Sequence, residues 1–141
     1  MNLTTTHTLT SKIHPAVSYD CKKFSEGRRQ KLALELAPAK YRMYELIGEA
    51  DALLPKDKDA STDEQTNMKR SALIDQINEL VARDMNPTWI KHYLKEIHGL
   101  EFDGTPATID SFISEAPSDL FNELVELVQG QAELTETEKN A

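Results

Sequence analysis

The sequence predicts a mainly α fold with an α+β alternative, and three observations carry that expectation. Apolar residues recur at helical spacing over most of the chain between Ala39 and Gly130. VSYDCKKF, Val17 to Phe24, begins with strict alternation, the pattern of a half-buried strand. Finally, Leu100 and Phe102 alternate with Glu101 just ahead of Asp103-Gly104, a preferred pair for a two-residue type I′ turn. The expected architecture is a small helical domain with an N-terminal strand or hairpin and a short Asp-Gly hairpin between helices. With 141 residues the chain is long enough to bury a real core.

Residues 1–15 are small, polar and Thr-rich without periodicity and end at Pro15, so they are expected to be disordered. They lack the apolar run of a secretory signal. The strand at Val17, Tyr19 and Cys21 follows, and Ser25-Glu26-Gly27 interrupts it. RRQKLALELA then reads two ways. Leu32, Leu34 and Leu36 alternate like a strand returning from a turn, whereas the Ala/Leu/Glu/Lys/Gln/Arg composition favours a helix. Pro38 marks a boundary. The hairpin is the preferred reading, with a long helix from about Ser25 as the alternative.

From Ala39 to Leu54, Met43, Leu46, Ile47, Ala50, Leu53 and Leu54 share one helical face, and Pro55 stops the helix. PKDKDASTDEQ is charged and almost free of apolar residues, so a flexible linker is expected near 55–62, with Ser61 or Thr62 capping the next helix. That helix carries Met68, Leu73, Ile77, Leu80 and Val81. Asn86 is placed as N-cap and Pro87 as first residue of another helix, whose buried face is Trp89, Ile90, Tyr93, Leu94 and Ile97. After the Asp103-Gly104 turn, Thr108 caps a short helix from Ile109 to about Glu115. Pro117 opens a last helix with Leu120, Phe121, Leu124, Val125 and Val128 on one face, ending near Gly130. One domain over 16–130 and a polar flexible tail over 131–141 complete the organisation.

The net charge of −8 is unevenly distributed. Residues 1–54 hold eight Lys/Arg against six Asp/Glu, and residues 55–141 hold eight against eighteen. From Glu96 onward Lys139 is the sole basic residue, so this half would be repelled by phosphate backbones. Nucleic acid is therefore not expected as a partner. No run of about eighteen apolar residues predicts a membrane span. The lone Cys21 has no disulfide partner within the chain, which suits a reducing, cytoplasmic compartment.

Candidate chemistry is sparse. His92 and Glu96 stand four apart, but His98 lies past the expected helix end, so no metal site is expected. Asp103 and Gly104 are read as structural turn residues, because a short Asp side chain tolerates positive φ. Asp110, Glu115 and Asp119 sit at or beside helix starts, where carboxylates favour the dipole. Trp89 is expected to anchor the core. No phosphate loop, nucleophile elbow or Cys/His spacing is present, so neither an enzyme nor a cofactor is expected. Two readings of the apolar helix faces stay open: all of them meet inside one monomer, or a stripe is left over as a partner-helix groove or an oligomer interface.

Three segments together resemble a known family. They are KKFSEGRR (Lys22 to Arg29), MNPTWIKHYLKEIHGLEFDGTPATIDSFISEAPSDLFNELVELV (Met85 to Val128) and ELTETEKN (Glu133 to Asn140). Their order and spacing are similar to the small tail-assembly chaperones of long-tailed bacteriophages, the shorter product of a frameshifted gene pair. Phe102 stands where that family usually has Ile, and Ala116 where Gly is common. The resemblance implies a non-enzymatic protein of the host bacterial cytoplasm that binds the helical tape-measure protein. It further implies recruitment of tail-tube subunits. An exposed helix face would do the binding, with Met43, Ile47, Leu73 and Ile77 as candidate contacts. The rival expectations are a virion structural or adaptor protein, and a small nucleic-acid-binding regulator using Arg28, Arg29 and Lys31.

Overall fold

A computed structural model of the chain describes residues 1–55 and 63–140. The fold is mainly α with a small three-stranded sheet and a separate two-stranded hairpin. The chain divides into two compact units, Met1–Leu32 with Pro87–Ala141, and Ala33–Asn86. Residues 56–62 of the linker expected near 55–62, and with them the Ser61 or Thr62 cap, lie outside the described residues.

The first unit is built on a sheet of order β1-β2-β3, antiparallel throughout, with strands Thr6–Thr10 (β1), Ser18–Lys22 (β2) and Leu94–His98 (β3). The stretch expected to be disordered thus supplies a strand. Thr has a branched Cβ that suits the extended backbone, and β2 offers a waiting edge. His7 and Leu9 fall opposite Cys21 and Tyr19 and turn inward, while Thr8 and Thr10 face out.

The helix expected through Ile97 ends instead at Tyr93, and Leu94–His98 pairs with β2. Leu94 and Ile97 are both buried, three residues apart, which mimics a helical stripe. A bulge creates that spacing. Tyr19 pairs with Ile97, Asp20 with Glu96, and Cys21 with Leu94, so Lys95 is the extra residue. The insertion returns Leu94 to the inner face while Glu96 and His98 stay outside.

Helices Ile109–Glu115 (α4) and Ser118–Asn140 (α5) complete the core of this unit. Tyr19 meets Phe112 edge-on at 5.9 Å between ring centroids, and Leu120, Leu124, Val125 and Val128 are buried beside them. Thr108 caps α4 as expected, in a reciprocal box with Ser111. Helix α5 does not stop at Gly130. Gln, Ala, Glu and Leu around the glycine favour helix enough to outweigh its cost of about 1 kcal/mol. Phe24 stacks on Tyr93 at 3.7 Å, with half-buried Trp89 at 6.1 Å from both rings, so Trp89 joins an aromatic cluster in this unit.

Between β3 and α4, strands Glu101–Phe102 (β4) and Thr105–Pro106 (β5) form the miniature hairpin. Asp103 and Gly104 both have positive φ, 52° and 78°, as a type I′ turn requires.

Helix α1 spans Glu26–Ala52 and contributes to both units. The preferred hairpin over RRQKLALELA is therefore wrong and the long helix correct. Leu32 and Leu36 are buried one turn apart, whereas Leu34 between them is exposed, which is a helical rather than an extended pattern. Ser25 supplies the start, its hydroxyl accepting from the Arg28 N–H at 3.2 Å. Pro38 sits inside the helix instead of ending it.

In the second unit, helix α2 covers Glu64–Leu80 and is capped by Asp63, which accepts from the Thr66 N–H at 2.7 Å. A π turn, Val81–Met85, leads into α3, Asn86–Tyr93. Asn86 is helical and not an N-cap, donating to the Val81 carbonyl five residues back. The one-residue shift of the hydrogen-bond ladder lets the backbone enter Pro87, which has no N–H to give, without a break. Among the described residues, Leu36, Leu46, Ala50 and Met85 are the buried apolar side chains of this unit.

Candidate functional site

Among the described residues, the large apolar side chains exposed on regular structure lie in the second unit. Leu34, Tyr41 and Tyr44 on α1 are 76%, 70% and 60% exposed, and Met68 on α2 is 65% exposed. Spacings of seven and three bring Leu34, Tyr41 and Tyr44 within roughly 80° of one another around the helix. Buried Leu36, Leu46 and Ala50 occupy the opposite side. Helix α2 has no fully buried residue. Its stripe of Leu73, Ile77 and Leu80, continued by Val81 in the π turn, is half-buried throughout. Side chains from α1, α2 and the π turn line a cleft of about 290 Å³: Arg42, Leu46, Gln76, Glu79, Leu80 and Arg83.

All four candidate contacts fall in this unit. Met43 and Ile47 are one turn apart on α1, and Leu73 and Ile77 one turn apart on α2. Met43, Leu73 and Ile77 are half-buried, and Ile47 lies at the margin with 36% exposure. Periodicity selected the stripe that faces the core side of α1 and missed Leu34, Tyr41 and Tyr44 behind it. Their own i, i+7, i+10 spacing was the available signal, hidden by the Glu and Lys residues between them.

A second feature lies on the outer face of the sheet in the first unit. The bulge leaves Glu96 and His98 pointing out from β3 beside Asp20 of β2. His98 Nε2 is 2.7 Å from Asp20 Oδ2 and 3.9 Å from Glu96 Oε2. The Thr8 hydroxyl donates to the other Asp20 oxygen at 2.8 Å. The hydrogen bond to Asp20 raises the His98 pKa above its ordinary value, and the bonds from His98 and then Thr8 lower that of Asp20. His92 does not join them. It remains on α3 beside the Tyr93 ring, 6.5 Å between centroids. The His92, Glu96 and His98 grouping is thus split by the helix end, and Asp20, 76 positions before Glu96, takes the place of His92.

The remaining singled-out residues have local roles. Asp103 holds the turn. Asp119 accepts from the Leu120 N–H at 2.7 Å at the start of α5. Of the basic cluster, Arg29 is engaged internally: its guanidinium lies 5.8 Å from the Phe24 ring centroid and donates to the Ala132 carbonyl at 3.3 Å. Among the described residues no helix is long and apolar enough to cross a membrane. No family model, curated protein or solved structure matches the chain.

Proposed function

We propose that this protein is a non-enzymatic tail-assembly chaperone of a long-tailed bacteriophage, acting in the host cytoplasm on the tape-measure protein and assisting tail-tube assembly. The observation that carries the reading is the exposed apolar face of α1, Leu34, Tyr41 and Tyr44, on a unit whose second helix buries no residue fully. A long apolar helix needs a partner that covers its stripe from water, and an amphipathic face on a soluble, acidic carrier does so. The net charge of −8 would keep the loaded complex dispersed. The resemblance of Lys22–Arg29, Met85–Val128 and Glu133–Asn140 supplies the identity of the partner class.

Co-expression with the tape-measure protein tests it: the partner becomes soluble and co-purifies with this chain. A partner that stays insoluble beside folded, abundant chaperone, with and without the frameshifted long form, overturns the reading. The virion adaptor is the competing reading, and mass spectrometry of purified particles separates the two, because a chaperone is absent from finished tails.

A further inference from the structure

We propose that Asp20, Glu96 and His98 form a surface site for one divalent transition-metal ion of the zinc class, bridging β2 and β3. This goes beyond the chaperone reading and does not depend on it.

The donor set is one imidazole and two carboxylates, each offering an atom within 4.8 Å of the others. Two carboxylates and a neutral imidazole balance the charge of a divalent ion, and the imidazole selects zinc-like ions over calcium or magnesium, which take oxygen ligands. Ligand atoms about 2.1 Å from a tetrahedral ion stand roughly 3.4 Å apart. The observed separations from His98 Nε2, 2.7 Å and 3.9 Å, bracket that value. Small side-chain rotations would therefore suffice.

The backbone is arranged for this. Asp20 and Glu96 are direct cross-strand partners, and His98 follows two residues along on the same face. Extended backbone holds such positions close and rigid. The bulge at Lys95 satisfies the core with Leu94 without turning Glu96 and His98 inward. Thr8, on β1, fixes the Asp20 carboxylate through its second oxygen, the kind of outer hydrogen bond that orients a metal ligand. Glu96 and His98 are open to solvent, so water completes the coordination.

The test uses the full chain, stripped with chelator and titrated with Zn²⁺ at pH 7.5 by calorimetry. Binding of one ion per chain is expected, with a rise in melting temperature as the ion clamps residues far apart in sequence. The near-isosteric variants Asp20→Asn, Glu96→Gln and His98→Gln, checked for folding by circular dichroism, each weaken binding at least tenfold. His92→Ala leaves it unchanged. Absence of saturable binding overturns the proposal, and so does wild-type affinity in any of the three ligand variants or a loss of binding in His92→Ala.

Discussion

Gly99 packs against the backbone of Ala16 so closely that a Cβ built on it would overlap the Ala16 carbonyl oxygen and lie 2.9 Å from its carbon. The same residue has φ of 77°, in the left-handed region. Both constraints act at the point where β3 leaves the sheet. Gly99→Ala should therefore destabilise the protein by about 2–4 kcal/mol, the strain and the clash acting together. Gly104→Ala makes the control: φ is 78° but nothing lies within 4 Å, so about 1 kcal/mol is expected. Urea unfolding of both variants measures the difference, and equal losses would contradict a steric role for Ala16.

Glu123 ties the N-terminal loop to α5. Its carboxylate accepts from the Ser11 hydroxyl at 2.5 Å and from the Lys12 and Ile13 N–H groups at 3.0 Å and 3.2 Å. Partial burial by itself would raise its pKa, but these three bonds prevail and hold it below its ordinary 4.5. A depressed folded pKa gives stability that is fully present above pH 4.5 and lost as pH falls through the lower folded value. Wild type and Glu123→Gln should thus differ by about 1–2 kcal/mol at pH 7 and converge in acid. Denaturation curves from pH 7 down to the acid limit would show the convergence.

Tyr19 is fully buried, yet among the described residues its Oη has no hydrogen-bond partner. An uncompensated hydroxyl in a core costs about 1–3 kcal/mol. Tyr19→Phe keeps the ring against Phe112 and removes that cost, so its stability should equal or exceed wild type. A clear loss in thermal unfolding would show that the hydroxyl is satisfied.

Pro38 interrupts α1 from within, removing one N–H and crowding the Leu34 carbonyl four residues back. Pro38→Ala should stabilise the helix by about 1–3 kcal/mol. A higher melting temperature and stronger helical circular dichroism are the expected readings, and an unchanged melt would mean the surrounding helix already absorbs the proline.

On the proposed binding face, Tyr41→Glu and Tyr44→Glu should change stability by no more than about 0.5 kcal/mol, because both side chains are largely exposed. Each should nonetheless abolish co-purification of the tape-measure protein. Leu46→Ala, at a buried position of the same helix, should instead cost about 2–5 kcal/mol. Loss of partner with the fold intact is what separates a binding face from a core.

The elements that were legible are those whose evidence lies within a few residues. Asp103-Gly104 specified its own turn because both residues tolerate positive φ, and Thr108 specified the start of α4 because its hydroxyl reaches Ser111 three residues on. Leu120, Leu124, Val125 and Val128 marked the buried face of α5 for the same reason. LALEL misled because its alternation and its helical composition point opposite ways, and exposed Leu34 between buried Leu32 and Leu36 decides for the helix.

What the sequence by itself determined was the mainly α class, the Asp-Gly hairpin, the capped helix after it and the strand at Tyr19 and Cys21. Tertiary structure decided the rest. Thr6–Thr10 became a strand because β2 was there to pair with, and Leu94–His98 left the helix because the sheet offered hydrogen bonds and a bulge that kept both Leu94 and Ile97 in the core. The same pairing brings His98 to Asp20 across 78 positions. Local preferences are encoded by neighbours along the chain, whereas a strand edge and a polar cluster depend on which distant segments come to lie side by side.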